Sequence, residues 1–290
     1  MLVGFIGLGM MGLRMAKRLL NKGIQLVVWN RSKEKIEQLR KFNIEVASAP
    51  KELARKTKVI LLMLSDENAC DEVIFGENGI LDGLSEGKDL TIVNFSTISP
   101  AYSINLERSL KSAGVKYVEV PVLGSLKEAE EGRLLALIGG DKETVDELSS
   151  ILDILAGKRI YVGSVGKASA LKLTVNSLSL TIVSLFCEVL TLARSWGVDV
   201  NTVYDVLKET WLKAVVEKYG SRVLSDDIPP RFKVELAKKD LFYALKSGYE
   251  KNVPLLIISS AVQVYTNATK YKDPSKDYTR NVFKYYSRFL

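Results

Sequence analysis

The chain has 290 residues, 47% hydrophobic and 26% charged, enough for two domains with real cores. It contains no histidine, which excludes a Ser-His-Asp triad and any histidine acid/base; with two distant cysteines, a zinc site has no natural ligand set. The net charge of +7 is scattered among acids without a basic run, which points to an anionic cofactor or substrate and away from nucleic acid.

Met1 to Ile6 is a short apolar run that predicts a buried strand. Gly7-Leu8-Gly9-Met10-Met11-Gly12 follows, and then Leu13 to Lys22, a run of helical periodicity with no Pro or Gly. Strand, glycine turn and helix is the context in which Gly-x-Gly-x-x-Gly binds a dinucleotide. The first glycine permits the tight turn, the second lets a pyrophosphate approach the backbone, and the third lets the helix pack closely on the strand. Helix-start N–H groups then face the phosphates. Arg14, Lys17 and Arg18 lie within this helix and not ahead of an apolar run, so no secretory leader is expected. Cys70 and Cys187 form no metal motif and suggest a reducing, cytoplasmic setting.

The second strand, Gln25 to Trp29, ends in Asn30-Arg31-Ser32, where dinucleotide folds select their cofactor. An acid there accepts from the NAD ribose hydroxyl. Asn30 followed by a cation and a hydroxyl favours the 2′-phosphate of NADP, which Arg31 grips through its fork of donors. Ser32 also suits the cap of a helix from Lys33 to Phe42, and both roles are compatible. Val59 to Leu64 is a continuous apolar run typical of a central parallel strand, with Met63 and Leu64 at the ligand edge. The strand Leu90 to Asn94 leads to Ser96 and Thr97, which either cap the next helix or reach a ligand. Tyr117 to Pro121, Leu134 to Ile138 and Ile160 to Val162 read as further strands, and Lys142 to Leu155 as a helix. Alternation over residues 1–162 predicts an α/β doubly wound parallel sheet.

The character changes at Gly163. Residues 163–290 predict an all-helical domain opening on a long helix, apolar on nearly every side through Leu171, Val175, Leu178, Ile182, Leu185, Val189 and Leu192, and so expected to be buried all round. Its uncharged core, Leu173 to Cys187, is shorter than the about 20 residues that span a bilayer, so no membrane role is expected. Lys172 and Asn176 lie one turn apart on this helix; they are either a snorkelling lysine with a structural asparagine or a functional pair. Lys238-Lys239-Asp240-Leu241 reads as a solvated cluster opening another helix. Pro254 to Tyr271 is a helix, Asp273-Pro274-Ser275 a break, and Tyr278 to Leu290 a last helix. Tyr204-x-x-x-Lys208 matches the short-chain dehydrogenase pair but lies in the helical half.

Five separated motifs then agree in order: Gly-Leu-Gly-Met-Met-Gly (7–12), Ser-Thr-x-x-Pro (96–100), Pro-Val-x-Gly-Ser-x-x-x-Ala-x-x-Gly-x-Leu (121–134), Gly-x-x-Gly-x-Ala-x-x-x-Lys-Leu-x-x-Asn (163–176) and Lys-Asp-Leu (239–241). Together they make the chain resemble the β-hydroxyacid dehydrogenase family over its whole length. The resemblance implies a Rossmann NADP-binding domain followed by an all-helical domain, with the active site between them. It implies Lys172 as general acid/base. Ser96, Gly124 and Ser125 would hold a substrate carboxylate with Asn176, and Phe232 and Asp240 would border it. Met63, Leu64, Thr97 and Lys239 would touch the cofactor. Two positions depart from the family. Asn94 stands where members often have Asp. Leu123 stands where a Ser usually contacts substrate, which makes the pocket more apolar. The Gly-Ser-x-x-x-Ala pattern looks most like the glyoxylate/succinic semialdehyde reductase branch, with 3-hydroxyisobutyrate, L-serine or another 3-hydroxy acid as alternative substrates and a catalytically silent NADP-binding module as the non-enzyme alternative. A homodimer or homotetramer is expected, because the long helix carries more apolar surface than a small helical domain covers.

Overall fold

A computed structural model describes residues 2–225, 229–271 and 276–290, without the side chain of Tyr271. The expected break at Asp273-Pro274-Ser275 lies outside the described residues. The chain divides into two compact units, Met1–Lys172 and Leu173–Leu290.

In the first unit the order is β1 (Leu2–Ile6), α1 (Met10–Asn21), β2 (Gln25–Trp29), α2 (Lys33–Glu37), β3 (Glu45–Val46), α3 (Pro50–Lys56), β4 (Val59–Leu62), α4 (Glu67–Phe75), β5 (Thr91–Asn94), α5 (Pro100–Ser112), β6 (Lys116–Glu119), β7 (Val122–Leu123), α6 (Leu126–Glu131), β8 (Leu134–Gly140), α7 (Lys142–Glu147), α8 (Ser149–Leu155) and β9 (Ala156–Gly163). Strands β3-β2-β1-β4-β5-β6 are parallel neighbours in that spatial order; β8 then runs antiparallel to β6 and β7, and β9 runs parallel to β8. This is the doubly wound Rossmann arrangement, whose strand order reverses between β1 and β4. Alternation along each strand feeds two cores. Val3, Phe5, Leu61, Val93 and Val118 meet Met15 and Leu19 on one face, whereas Ile6, Ile60, Leu62, Ile92 and Tyr117 meet Leu53, Ile74 and Leu106 on the other.

Three local expectations change. Helix α2 stops at Glu37, not Phe42, because the next residues close tight i→i+3 turns that bring Leu39 and Phe42 onto the first core. The expected helix from Lys142 to Leu155 breaks at Leu148 into α7 and α8. Strand β9 spans eight residues because it pairs along β8, a partner invisible to local periodicity.

The next helix, α9 (Lys167–Ser195), runs through the division between the units. In the second unit it is followed by α10 (Val200–Lys208), α11 (Lys213–Leu224), α12 (Val234–Glu250), α13 (Leu256–Tyr271) and α14 (Tyr278–Tyr286). Leu180, Val183, Phe186 and Leu190 of α9 pack with Tyr204, Tyr219, Val223, Leu241, Tyr265 and Phe283 into a third core. By length and composition alone α9 would pass for a membrane span, since it continues through the charges that end its apolar window; the third core is what this stripe fills. Within the single chain α9 is not buried all round. Leu178, Leu185 and Leu192 are 65%, 58% and 62% exposed. Their seven-residue spacing puts them on one stripe, with Val189 beside them.

The start of α9 is held from a distance. Gly166, at its first turn, has φ +96 and no side chain to cap with. Glu119, at the end of β6 and 1% exposed, supplies the missing acceptor. Its Oε1 accepts from the N–H groups of Gly166 at 2.7 Å, Ala168 at 2.9 Å and Ser169 at 3.4 Å. Its Oε2 accepts from the hydroxyls of Ser169 at 2.5 Å and Ser103 at 2.7 Å.

Candidate nucleotide cleft and active-site residues

The three glycines of the β1–α1 turn each meet a different constraint. Gly7 has φ +99, and a Cβ there would lie 2.3 Å from the Met63 carbonyl oxygen. Gly9 is exposed with nothing within 4 Å of a Cβ position, so its face is open to a ligand. A Cβ on Gly12 would lie 2.0 Å from the Gly7 carbonyl oxygen. Helix α1 has no side-chain cap and no acid in its first turn, so its N-terminal dipole faces the turn uncompensated. An open glycine face before an uncapped helix start suits a pyrophosphate.

A cleft of about 280 Å³ opens here, at the switch point of the sheet. Of the residues anticipated to bind cofactor, Gly7, Leu8, Gly9, Asn30, Arg31, Ser32, Met63 and Leu64 line it; Met10, Met11, Gly12 and Thr97 do not. Trp29, Lys35, Ser65, Ala69, Glu72 and Val73 line it and were not anticipated. Lys35 was within reach of sequence reasoning, since it follows Arg31 by one helical turn. Glu72 was not, because α4 meets the cleft only through the sheet.

Asn30 works as a brace. Its Oδ1 accepts from the Leu8 N–H at 2.8 Å and its Nδ2 donates to the Ser32 carbonyl at 2.8 Å, which ties the β1–α1 and β2–α2 loops together. The expected Ser32 side-chain cap does not form: Ser32 is the N-cap residue of α2 without a side-chain bond to it. Arg31 is exposed, with Nη1 3.9 Å from Glu72 Oε2, a separation at which a surface pair contributes little.

At the end of β5 the helix cap is Ser99, which accepts from the Tyr102 N–H, and neither Ser96 nor Thr97 fills that place. Ser96 is buried; its Oγ accepts from the Leu64 N–H at 2.8 Å, and its own N–H donates to Asn94 Oδ1 at 3.0 Å. Asn94 therefore orients Ser96 as an Asp would, while its Nδ2 donates to the Tyr117 hydroxyl at 3.3 Å.

Gly124 has φ +139 and turns the chain from β7 into α6. Leu123 is half-buried and pairs with Leu135 across β7–β8. Ser125 closes a capping box with Glu128: the Ser125 N–H donates to Glu128 Oε2 at 2.7 Å, the two side chains are hydrogen bonded, and Lys127 N–H donates to Ser125 Oγ. The Ser125 hydroxyl and amide hold the Glu128 carboxyl below the usual carboxylate range, so the box is intact at neutral pH and is lost as pH falls through that lowered value. As folded, the Ser125 hydroxyl takes part in the capping box of α6.

Lys172 is 9% exposed, and its Nζ donates to the Val122 carbonyl at 2.9 Å. This overturns the snorkelling alternative: the ammonium is drawn onto a backbone acceptor next to Leu123 and Gly124. One turn along α9, in the second unit, Asn176 Nδ2 donates to Asp240 Oδ2 at 2.7 Å. Asp240, on α12, is 2% exposed. Lys239 Nζ lies 3.1 Å from Asp240 Oδ1, off the axis of a hydrogen bond, and 5.1 Å from the Tyr243 ring centroid. The expectation of a solvated 238–241 cluster is corrected: α12 begins earlier, at Val234, and turns Asp240 and Leu241 inward. Phe232 packs edge-on against Tyr278 at 5.8 Å, and its segment is pinned by the buried Arg222–Asp277 ion pair at 2.7 Å. The anticipated residues thus fall into a first-unit set ending at Lys172 and a second-unit set of Asn176, Phe232, Lys239 and Asp240.

Tyr204 donates to the Gly220 carbonyl at 2.9 Å, and burial pushes its phenol up. Lys208 pairs with Asp205 at 3.0 Å. Both have structural partners, and Tyr204 is not an available acid. Among the described residues no group of three or more Cys, Asp or Glu is arranged to hold a metal ion.

A family profile described as the NAD-binding domain of 6-phosphogluconate dehydrogenase matches residues 2–163, and one described as NAD-binding of NADP-dependent 3-hydroxyisobutyrate dehydrogenase matches residues 166–285. Glyoxylate/succinic semialdehyde reductase 1 of Arabidopsis thaliana is 33% identical over 267 residues, 92% of each chain. Cytokine-like nuclear factor N-PAC of Homo sapiens is 28% identical over 98% of this chain, which spans only 51% of that protein. Psf3, solved with NADP+ and 2-OPP, superposes with a TM-score of 0.82 at 25% identity, covering 99% of this chain and 100% of that one.

The Gly12 contact generates a direct test. Gly12→Ala forces a methyl against the Gly7 carbonyl and must open the turn, so dinucleotide affinity should fall about tenfold or more while the fold persists. Calorimetric titration with NAD and NADP beside a thermal melt checks it; unchanged affinity would mean that this turn does not hold the pyrophosphate.

Proposed function

The chain belongs to the β-hydroxyacid dehydrogenase family of NAD(P)-dependent oxidoreductases, and we propose that it is an NADP-dependent enzyme moving a hydride between nicotinamide and a small hydroxy acid or its aldehyde or keto acid, with Lys172 as general acid/base. The observation that carries this reading is Lys172 itself: a buried lysine seated on the Val122 carbonyl in a chain without histidine. When bound, the nicotinamide supplies or takes the hydride. Lys172 Nζ gives a proton to the carbonyl oxygen in reduction and takes it from the hydroxyl in oxidation. Gly7, Gly9 and the start of α1 hold the pyrophosphate, and Asn30 braces the loop that carries Arg31. Arg31 and Lys35 favour the 2′-phosphate of NADP, against the single opposing carboxylate of Glu72. The printed name of the Arabidopsis relative suggests glyoxylate and succinic semialdehyde as first substrates, and Leu123 makes the pocket more apolar than a Ser would.

A second reading is a catalytically silent NADP-binding module, favoured by similarity to N-PAC along nearly the whole chain. Lys172 argues against it, because a silent module has no use for a buried acid/base. Nicotinamide absorbance with a panel of aldehydes and hydroxy acids separates the two. We also propose that the exposed stripe Leu178, Leu185 and Leu192 is covered by a second copy of the chain in a two-fold assembly.

Three outcomes follow from these assignments. Lys172→Ala should lower turnover by about 10²–10⁴ with little change in NADP affinity, and Lys172→Arg should not rescue it, since guanidinium keeps its proton. Near-normal turnover in the alanine variant removes Lys172 from the role. Arg31→Ala should weaken NADP by about ten- to a hundredfold and NAD hardly at all, the loss of a charge-assisted phosphate bond; equal effects on both cofactors would refute the preference. Light scattering at micromolar concentration should give a dimer or tetramer that Leu185→Glu dissociates, and a monomeric parent protein would refute the assembly.

A further inference from the structure

Glu119 lies outside the family's catalytic and binding assignments carried over above, yet it is more heavily bonded than any residue in them. A carboxylate 1% exposed accepts three backbone N–H groups and two hydroxyls, and four of the five donors belong to residues 166–169. A helix start leaves its first N–H groups without intrahelical partners, and a residue at the cap ordinarily supplies the acceptor. Gly166 has no side chain, and a Cβ added to it would lie 2.7 Å from Ile104 Cδ1, so a local cap has no room. The cap instead comes from a strand end 47 residues earlier in the chain.

The same strand segment meets the helix twice. Glu119 holds residues 166–169; three residues on, past Pro121, the Val122 carbonyl receives Lys172 Nζ at 2.9 Å. Ser169 and Lys172 are three apart and share a helix face. Segment 119–122 is itself fixed, by Val120 N–H on the Asn94 carbonyl at 2.8 Å and by Leu137 N–H on the Pro121 carbonyl at 3.0 Å. The rotation and rise of the opening turns of α9 are therefore set from one rigid segment, and with them the place of the lysine ammonium.

We propose that Glu119 is a positioning residue for proton transfer: by capping α9 from β6 it sets the register in which Lys172 reaches the Val122 carbonyl. This rests on the reading of Lys172 as acid/base. Glu119→Gln keeps the volume but removes the charge: its NH₂ turns the Ser103 and Ser169 hydroxyls from donors into acceptors, and the three N–H bonds at the start of α9 lose their charge assistance.

The test is a double-mutant cycle on the full chain, with NADPH and glyoxylate or succinic semialdehyde as probes, comparing the parent, Glu119→Gln, Lys172→Ala and the double variant. Glu119→Gln should lower kcat about tenfold or more, with NADPH affinity within about twofold, and should cost nothing further in the Lys172→Ala background, because coupled residues are non-additive. A merely structural role would lower Tm equally in both backgrounds and cost the same factor of kcat in each; that result overturns the proposal. So does parent-like kcat in Glu119→Gln when Lys172→Ala is inactive. If Lys172→Ala keeps normal turnover, the acid/base reading fails first and is told apart by that single variant. Should Glu119→Gln not fold, Ser169→Ala removes one donor and leaves the carboxylate. It should lower kcat by about two- to fivefold, again only when Lys172 is present; unchanged kcat with a lowered Tm overturns the proposal.

Discussion

The first unit depends on a close approach that only a missing side chain allows. A Cβ on Gly12 would stand 2.0 Å from the Gly7 carbonyl oxygen, and one on Gly7 would stand 2.3 Å from the Met63 carbonyl oxygen. These two contacts bring the start of α1, the end of β1 and the end of β4 to one point. That point is where the strand order reverses, so the crevice of the sheet and the helix dipole coincide there. The cleft is a consequence of backbone packing, and the side chains around it, Asn30 above all, hold loops in place more than they reach into the space.

A second backbone problem, the bare start of α9, is solved by a buried acid. Taking a carboxylate out of water is costly unless its lone pairs are satisfied, and Glu119 is satisfied by five donors. The arrangement turns a desolvation cost into a specific tie between β6 and the helix that carries Lys172. Downstream, α9 changes character: its inner face fills the third core through Val183 and Phe186, while Leu178, Leu185 and Leu192 remain outside it. One helix therefore serves as an anchored support at its start and as core and candidate interface beyond it.

Much of this was legible in the residues. The glycine turn, the apolar β4 run and the helical second half each carry a local signal of period, composition or spacing. The role proposed for Lys172 rests on the motifs jointly: the helix alone leaves it open between snorkelling and function, and the resemblance carried by 96–100, 121–134, 163–176 and 239–241 singles it out. What escaped depends on partners far away in the chain. Glu119 sits in a strand where one acid among valines reads as an edge residue, and four of its five donors lie 47 to 50 residues on. Ser99 and not Ser96 takes the cap because α5 opens at Pro100, which puts residue 99 at the N-cap, while the Ser96 hydroxyl accepts from the Leu64 N–H. The capping box of Ser125 with Glu128, three residues on, was a local signal that the reading passed over. For the stripe on α9, apolar periodicity reports which faces are hydrophobic, and not whether this chain or a second copy covers them.

The seat of Lys172 bears on the proposed chemistry through simple counting. An ammonium has three N–H donors and a neutral amine has two. The Val122 carbonyl needs one. The lysine can therefore keep its bond to Val122 before and after it gives up a proton. A carboxylate partner would not serve both states in this way, since it would hold the charged form and resist its loss. A backbone carbonyl orients the nitrogen without committing it to one protonation state. With that carbonyl fixed beside Pro121 and the helix start fixed by Glu119, both ends of the lysine side chain are located by backbone.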